Sequence, residues 1–82
     1  MELVKLTELI VKELVKDSES VSVKEFPSEN ENEITIQVMV PESEMGRVIG
    51  RSGNIAKSLR TVVQASSYIN ENKRVNINID SY

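Results

Sequence analysis

Apolar residues recur along the chain in two periods. From Leu3 to about Lys16 the period is helical: Leu3, Leu6, Ile10 and Leu14 line up, and Val4, Val11 and Val15 widen the arc. Lys5, Glu8, Lys12 and Lys16 take the opposite side. That arc is wider than one stripe against a sheet needs. The helix is either deeply embedded or has one edge facing a partner chain. Asp17-Ser18-Glu19-Ser20 reads as a turn. Val21-Ser22-Val23-Lys24 then alternates and begins a strand, which Phe26 is expected to close against the core. Pro27 to Asn32 is an acidic loop without the spacing or the glycine of a calcium loop, so it is read as solvated.

The clearest strand is Glu33 to Val40. Ile34, Ile36, Val38 and Val40 point one way, Thr35, Gln37 and Met39 the other, and Pro41 ends it. Glu42, Ser43 and Glu44 suit the first turn of a helix, where acids complement the dipole. That helix is short, roughly Ser43 to Ile49, and Gly50 stops it. A longer helix starts near Ser52 or Gly53 and runs to about Ile69. Ile55, Ala56, Leu59, Val62, Val63 and Ser66 share one face; Lys57, Arg60, Thr61, Gln64 and Tyr68 share the other. After a turn at Glu71-Asn72-Lys73, Arg74 to Asp80 is a last strand with Val75, Ile77 and Ile79 inward. The order α-β-β-α-α-β predicts an α+β fold: a three-stranded sheet with helices packed on one face. Eighty-two residues are expected to form a single domain, residues 1–82.

Charge sharpens this picture. Residues 1–44 hold four Lys and eleven acids, whereas residues 45–70 hold Arg47, Arg51, Lys57 and Arg60 and no acid. An anionic partner is therefore steered to the stretch that carries Gly50 and Gly53 and repelled elsewhere. The chain has no Cys and no His, which removes disulfides, thiolate chemistry and the commonest base and metal ligand. No Ser has a recognisable base partner, and the carboxylates cluster in the N-terminal half, read as exposed. An enzyme is not expected, nor a metal or cofactor. Charges break the N-terminal stretch, so neither a leader nor a membrane span is read there, and a soluble cytoplasmic protein is expected.

A G-x-x-G pair alone carries little, because it is common by chance at an average glycine usage of about 7%. Its context carries more. The turn follows a short helix, opens a longer one and holds Arg51 and Ser52 between its glycines. Such a turn exposes backbone N–H groups beside the positive end of a helix, and the missing side chains let a phosphate backbone approach. A Walker A loop is excluded by spacing and by the lack of a following Lys-Ser/Thr. A dinucleotide loop would need glycine at Val48 and a strand directly before it.

Val48-Ile49-Gly50-Arg51-Ser52-Gly53-Asn54-Ile55 resembles the signature loop of KH domains, a GXXG loop that clamps four backbone nucleotides. The element order resembles the bacterial type II KH domain. Gly46-Arg47-Val48-Ile49-Gly50 and Arg60-Thr61-Val62-Val63 look like the KhpA family of small bacterial single-KH RNA-binding proteins. The resemblance covers nearly the whole chain. It implies that Gly50 and Gly53 let the nucleic-acid backbone pass while the N–H groups of Arg51 to Gly53, Ser52 included, face phosphate. Arg51 adds charge, Arg47 and Lys57 reach neighbouring phosphates, and Arg60 is counted among the RNA-binding residues. Ile49 and Ile55 form an apolar floor under the bases. Asn54 completes the set; it and Ser52 stand where family members often carry a charge. The residues leave other readings open: core for Ile49 and Ile55, a solvated helix face for Lys57 and Arg60, a plain helix stop for Gly50. The implied partners are single-stranded RNA, a second copy of the chain and a larger KH protein of the KhpB/Jag type, with no membrane insertion. The alternative is a dimerisation module of an envelope or division complex in which nucleic-acid binding is weak.

Overall fold

A computed structural model of the chain describes residues 2–82. Helix α1 spans Leu3–Leu14, strand β1 Ser22–Pro27, strand β2 Glu33–Val40, helix α2 Met45–Ile49, helix α3 Asn54–Asn70 and strand β3 Arg74–Ser81. Single 3₁₀ turns at Ser18–Ser20, Glu42–Glu44 and Arg51–Gly53 join them. The three strands form one sheet with β2 in the middle. β1 runs antiparallel to β2 in the register Val23↔Val38, and β3 runs parallel to β2 in the register Ile36↔Ile77.

Period-2 alternation is clean on β2. Ile34, Ile36, Val38 and Val40 are all buried, whereas Thr35, Gln37 and Met39 face the uncovered side and are only partly shielded. The helices cover the first side. Leu3 and Val11 of α1, Val48 of α2 and Leu59 and Val63 of α3 join the β2 side chains, Val23 and Ile77 in one core. The expected α+β architecture is thus the observed one, with helices on one face of the sheet.

Three details of the pattern come out differently, and a fourth, the buried Thr7, has no reading in the sequence. Phe26 does not close the strand against the core: it is 46% exposed. Alternation on β1 runs from buried Val23, so Phe26 shares the uncovered face with Ser22 and Lys24. On α3 the buried row is Ala56, Leu59, Val63 and Ser67, which leaves Val62 49% exposed and puts Ser67, not Ser66, inside. The Ser67 hydroxyl donates to the Lys73 carbonyl at 2.6 Å, and its own carbonyl accepts from the Glu71 and Asn72 amides, so a polar residue seals the end of that row. Thr7 is fully buried in α1 because its hydroxyl donates to the Leu3 carbonyl at 2.8 Å. Finally, the acids after Pro41 form a 3₁₀ turn rather than a first α-helical turn, and Glu44 is buried rather than exposed like its neighbours Glu42 and Ser43.

Candidate nucleic-acid interface

The conformation of the glycine turn follows from which residues tolerate positive φ. The Gly50 N–H donates to the Gly46 carbonyl at 3.0 Å and ends α2. Gly50 itself adopts φ 77 and ψ 177, a region open only to glycine. The Gly53 N–H then donates to the Gly50 carbonyl at 3.2 Å and closes a four-residue turn. Inside it Ser52 has φ 55 and ψ 24, and Gly53 follows at φ 76 and ψ 12, two left-handed residues in succession. The chain thereby reverses between α2 and α3 without any side chain capping α3. The first amides of a 17-residue helix are left without a side-chain acceptor, and they carry the positive end of its dipole.

The two glycines differ in what surrounds them. A Cβ at Gly50 would lie 2.5 Å from Cγ1 of Ile55 and 2.8 Å from its Cβ, so Ile55 packs over the Gly50 backbone. A Cβ at Gly53 would meet nothing within 4 Å. Gly50 is required by packing and backbone together; Gly53 is required by backbone alone and leaves the outer side of the turn open.

The residues singled out in the sequence fall into two groups. Arg47, Ile49, Gly50, Arg51, Ser52, Gly53, Asn54, Ile55 and Lys57 lie on the turn or within one helical turn of it. Ile49 is half-buried and Ile55 is 36% exposed, so neither is ordinary core. Lys57 and Asn54 are exposed and line, with Ser58, Thr61 and Val62, a shallow groove of about 450 Å³ along the outer side of α3. Arg60 is set apart. Its Nε donates to the Ile77 carbonyl at 3.4 Å, which ties α3 to β3. Among the described residues, no ion pair involves Arg51, Lys57 or Arg60.

One residue at the site was not legible in the sequence. Glu44 accepts from the Lys16 amide at 2.7 Å and the Asp17 amide at 3.1 Å, and Arg47 Nε lies 3.2 Å from its other oxygen. It joins the end of α1 to the start of α2. Its backbone partners lie far back along the chain, so no local spacing announces it. The Asp17 amide holds the carboxyl below the usual glutamate range; burial pushes it up, and the Lys16 amide with the charges of Arg47 and Lys16 offsets that. A depressed folded pKa gives stability that is present above the unfolded pKa and lost as pH falls through the folded one. Glu44→Gln should therefore melt below the wild type near neutral pH, with the gap closing below about pH 4. Thermal melts of both proteins across this range check it; a gap that persists unchanged in acid would assign the difference to shape and not to charge.

A short helix, a turn built on two positive-φ glycines and a long uncapped helix, laid on a three-stranded sheet, is the arrangement of a type II KH domain. The family model described as KhpA/KhpB, KH domain matches residues 4–79. The chain belongs to that family. It is 45% identical over 74 residues to RNA-binding protein KhpA of Clostridium perfringens, covering 90% of this chain and 95% of that one. It is 42% identical over 60 residues to RNA-binding protein KhpA of Aquifex aeolicus, covering 73% of each. Among solved structures it resembles Era of Aquifex aeolicus bound to GDP and AlF4−, with a TM-score of 0.67 at 17% identity, over 96% of this chain and 29% of that one. Era in complex with MgGDPNP and nucleotides 1506–1542 of 16S ribosomal RNA gives 0.60 at 21% identity, over 99% and 31%. The likeness to Era is one of fold.

Proposed function

We propose that the chain acts as one KH domain that binds single-stranded RNA at the Gly50–Gly53 turn, as an RNA chaperone or post-transcriptional regulator in the cytoplasm. One observation carries the reading. The positive-φ turn and the uncapped start of α3 lie together in the only long stretch of the chain that holds cations and no acid. The amides of Arg51 and Ser52 face phosphate, the Gly53 amide being taken by the Gly50 carbonyl; Arg51 adds charge, and Arg47 and Lys57 take neighbouring phosphates. Ile49, Ile55 and Asn54 flank the bases. Single strands are favoured because apolar side chains beside a backbone clamp, here Ile49 and Ile55, can reach only unstacked bases. The relatives named RNA-binding protein KhpA support the choice of RNA.

Discrimination rests on groove shape and hydrogen bonds, since the exposed aromatics Phe26, Tyr68 and Tyr82 lie away from the turn in the chain. With about three cations the salt dependence is shallow, a slope on the order of −2. Such a site gains affinity by being doubled. The exposed apolar side chains of Val62, Tyr68 and Ile69 on α3 and Leu9 on α1 favour an assembly, either a homodimer or a pair with a larger KhpB/Jag-type KH protein.

Titration of labelled single-stranded RNA tests the site. Arg51→Asp/Ser52→Asp should weaken binding by about tenfold or more while folding normally, because Asp tolerates the left-handed conformation of Ser52. Equal binding by the variant and the wild type would remove the turn as the site. Sedimentation of the same samples reads the assembly: a strict monomer at high concentration that still bound RNA would leave no role for the dimer.

A further inference from the structure

Of the four cations in the acid-free stretch, one is held by a carboxylate that is itself fixed from elsewhere in the fold. Glu44 is only 6% exposed, and one of its oxygens is locked by the Lys16 and Asp17 amides beyond the end of α1. Its other oxygen meets Arg47 at Nε, the inner nitrogen of the guanidinium. The Arg47 side chain stays 47% exposed, and the contact leaves the two terminal nitrogens to make others. Arg47 sits on α2, one turn before Gly50. An arginine paired through its inner nitrogen with a carboxylate that is itself fixed is biased toward one side-chain position before any ligand arrives, and it keeps the paired donors that suit a phosphate.

We propose that Glu44 is a positioning residue for phosphate: it holds Arg47 by Nε and presents the terminal guanidinium nitrogens to the nucleic-acid backbone at the glycine turn. The inference rests on the reading of that turn as the RNA site. It makes a claim opposite in sign to simple charge counting. A carboxylate near a phosphate site repels the ligand, so removing its charge would strengthen binding if Coulomb repulsion decided. If positioning decides, removing it weakens binding.

Glu44→Gln separates the two, because it keeps one oxygen for the Lys16 and Asp17 amides and turns an NH₂ group toward Arg47. Single-stranded RNA is titrated at several salt concentrations against the wild type, Glu44→Gln, Arg47→Ala, the double variant, Arg47→Lys and the Arg51→Asp/Ser52→Asp control. Arg47→Ala is expected to weaken binding about fivefold and to flatten the salt slope by about 0.7, the loss of one single-strand phosphate contact. Glu44→Gln is expected to weaken it about threefold, and to cost nothing further once Arg47 is Ala. Arg47→Lys, an exposed change that leaves folding intact, is expected to bind like Arg47→Ala, since a lysine directed to Glu44 has no second donor edge to offer. Binding by Glu44→Gln at or above the wild-type level overturns the proposal, as does weakening that persists without Arg47. Should Arg47→Ala be neutral while the Arg51→Asp/Ser52→Asp control loses binding, the turn remains the site and the role of Glu44 falls. Should both be neutral, the reading of the turn falls too.

Discussion

Val38→Asp is expected to leave the chain unfolded at room temperature, with no cooperative transition by circular dichroism. Val38 has no exposed surface and lies in the middle of the central strand, between Val23 of β1 and Ile79 of β3. A carboxylate there has no cation or donor within the apolar layer formed by Ile36, Val40, Val63 and Leu59. Burying it unpaired costs more than about 5 kcal/mol even after its pKa rises to neutralise it. A small domain has on the order of 5 kcal/mol in all. Val38→Ala, which only removes methyl groups, should cost about 2 kcal/mol and keep a two-state melt. Gln37→Asp, one position along on the uncovered face, should fold. The opposite outcome, Gln37→Asp unfolded and Val38→Asp folded, would mean that β2 sits one residue out of register.

The second large effect separates two residues of the same type. Gly50→Ala is expected to destabilise the chain by about 3–5 kcal/mol, from strain at a backbone angle reserved for glycine and from overlap with Ile55. Gly53→Ala is expected to cost only about 1 kcal/mol, because its left-handed angles are milder and the space around it is empty. Urea titration of both variants reads the difference. Shortening Ile55 to Ala in the Gly50→Ala background should recover part of the loss, since the overlap is with Ile55 Cγ1, Cβ and Cδ1. Equal losses at the two glycines would show that the close packing of Ile55 on Gly50 does not hold in solution.

What could be read from the sequence and what could not divides along physical lines. β2 was legible because four apolar residues alternate without interruption and one side of the sheet is covered by helices. The glycine turn was legible because positive φ selects glycine, and both Gly50 and Gly53 have it. Phe26 was misplaced because β1 offers one buried apolar residue, Val23, to set the parity, and a large aromatic outweighed it. Val62 and Ser66 were assigned inward because adjacent apolar residues on a helix leave the arc uncertain by about one position. The row that packs runs instead through Val63 to Ser67, whose hydroxyl has a partner past the end of α3. Arg60 and Glu44 share a different cause. Their partners, the Ile77 carbonyl and the Lys16 and Asp17 amides, lie on other elements, and long-range polar contacts leave no periodic trace.

The parallel pairing of β3 with β2 has a kinetic consequence. β1 and β2 are antiparallel neighbours joined by a short loop, so their contacts are local and cheap to close. β3 finds its place beside β2 only after α2, the glycine turn and α3 have crossed from one strand to the other. The turn is thus carried inside a long loop that folding has to close. The packing of α3 on β3 adds to the contacts that hold α3 in place beside α2. Pairing across that loop is non-local and slower to close than the β1–β2 hairpin, so the placing of the turn depends on long-range contacts as well as on its own four residues.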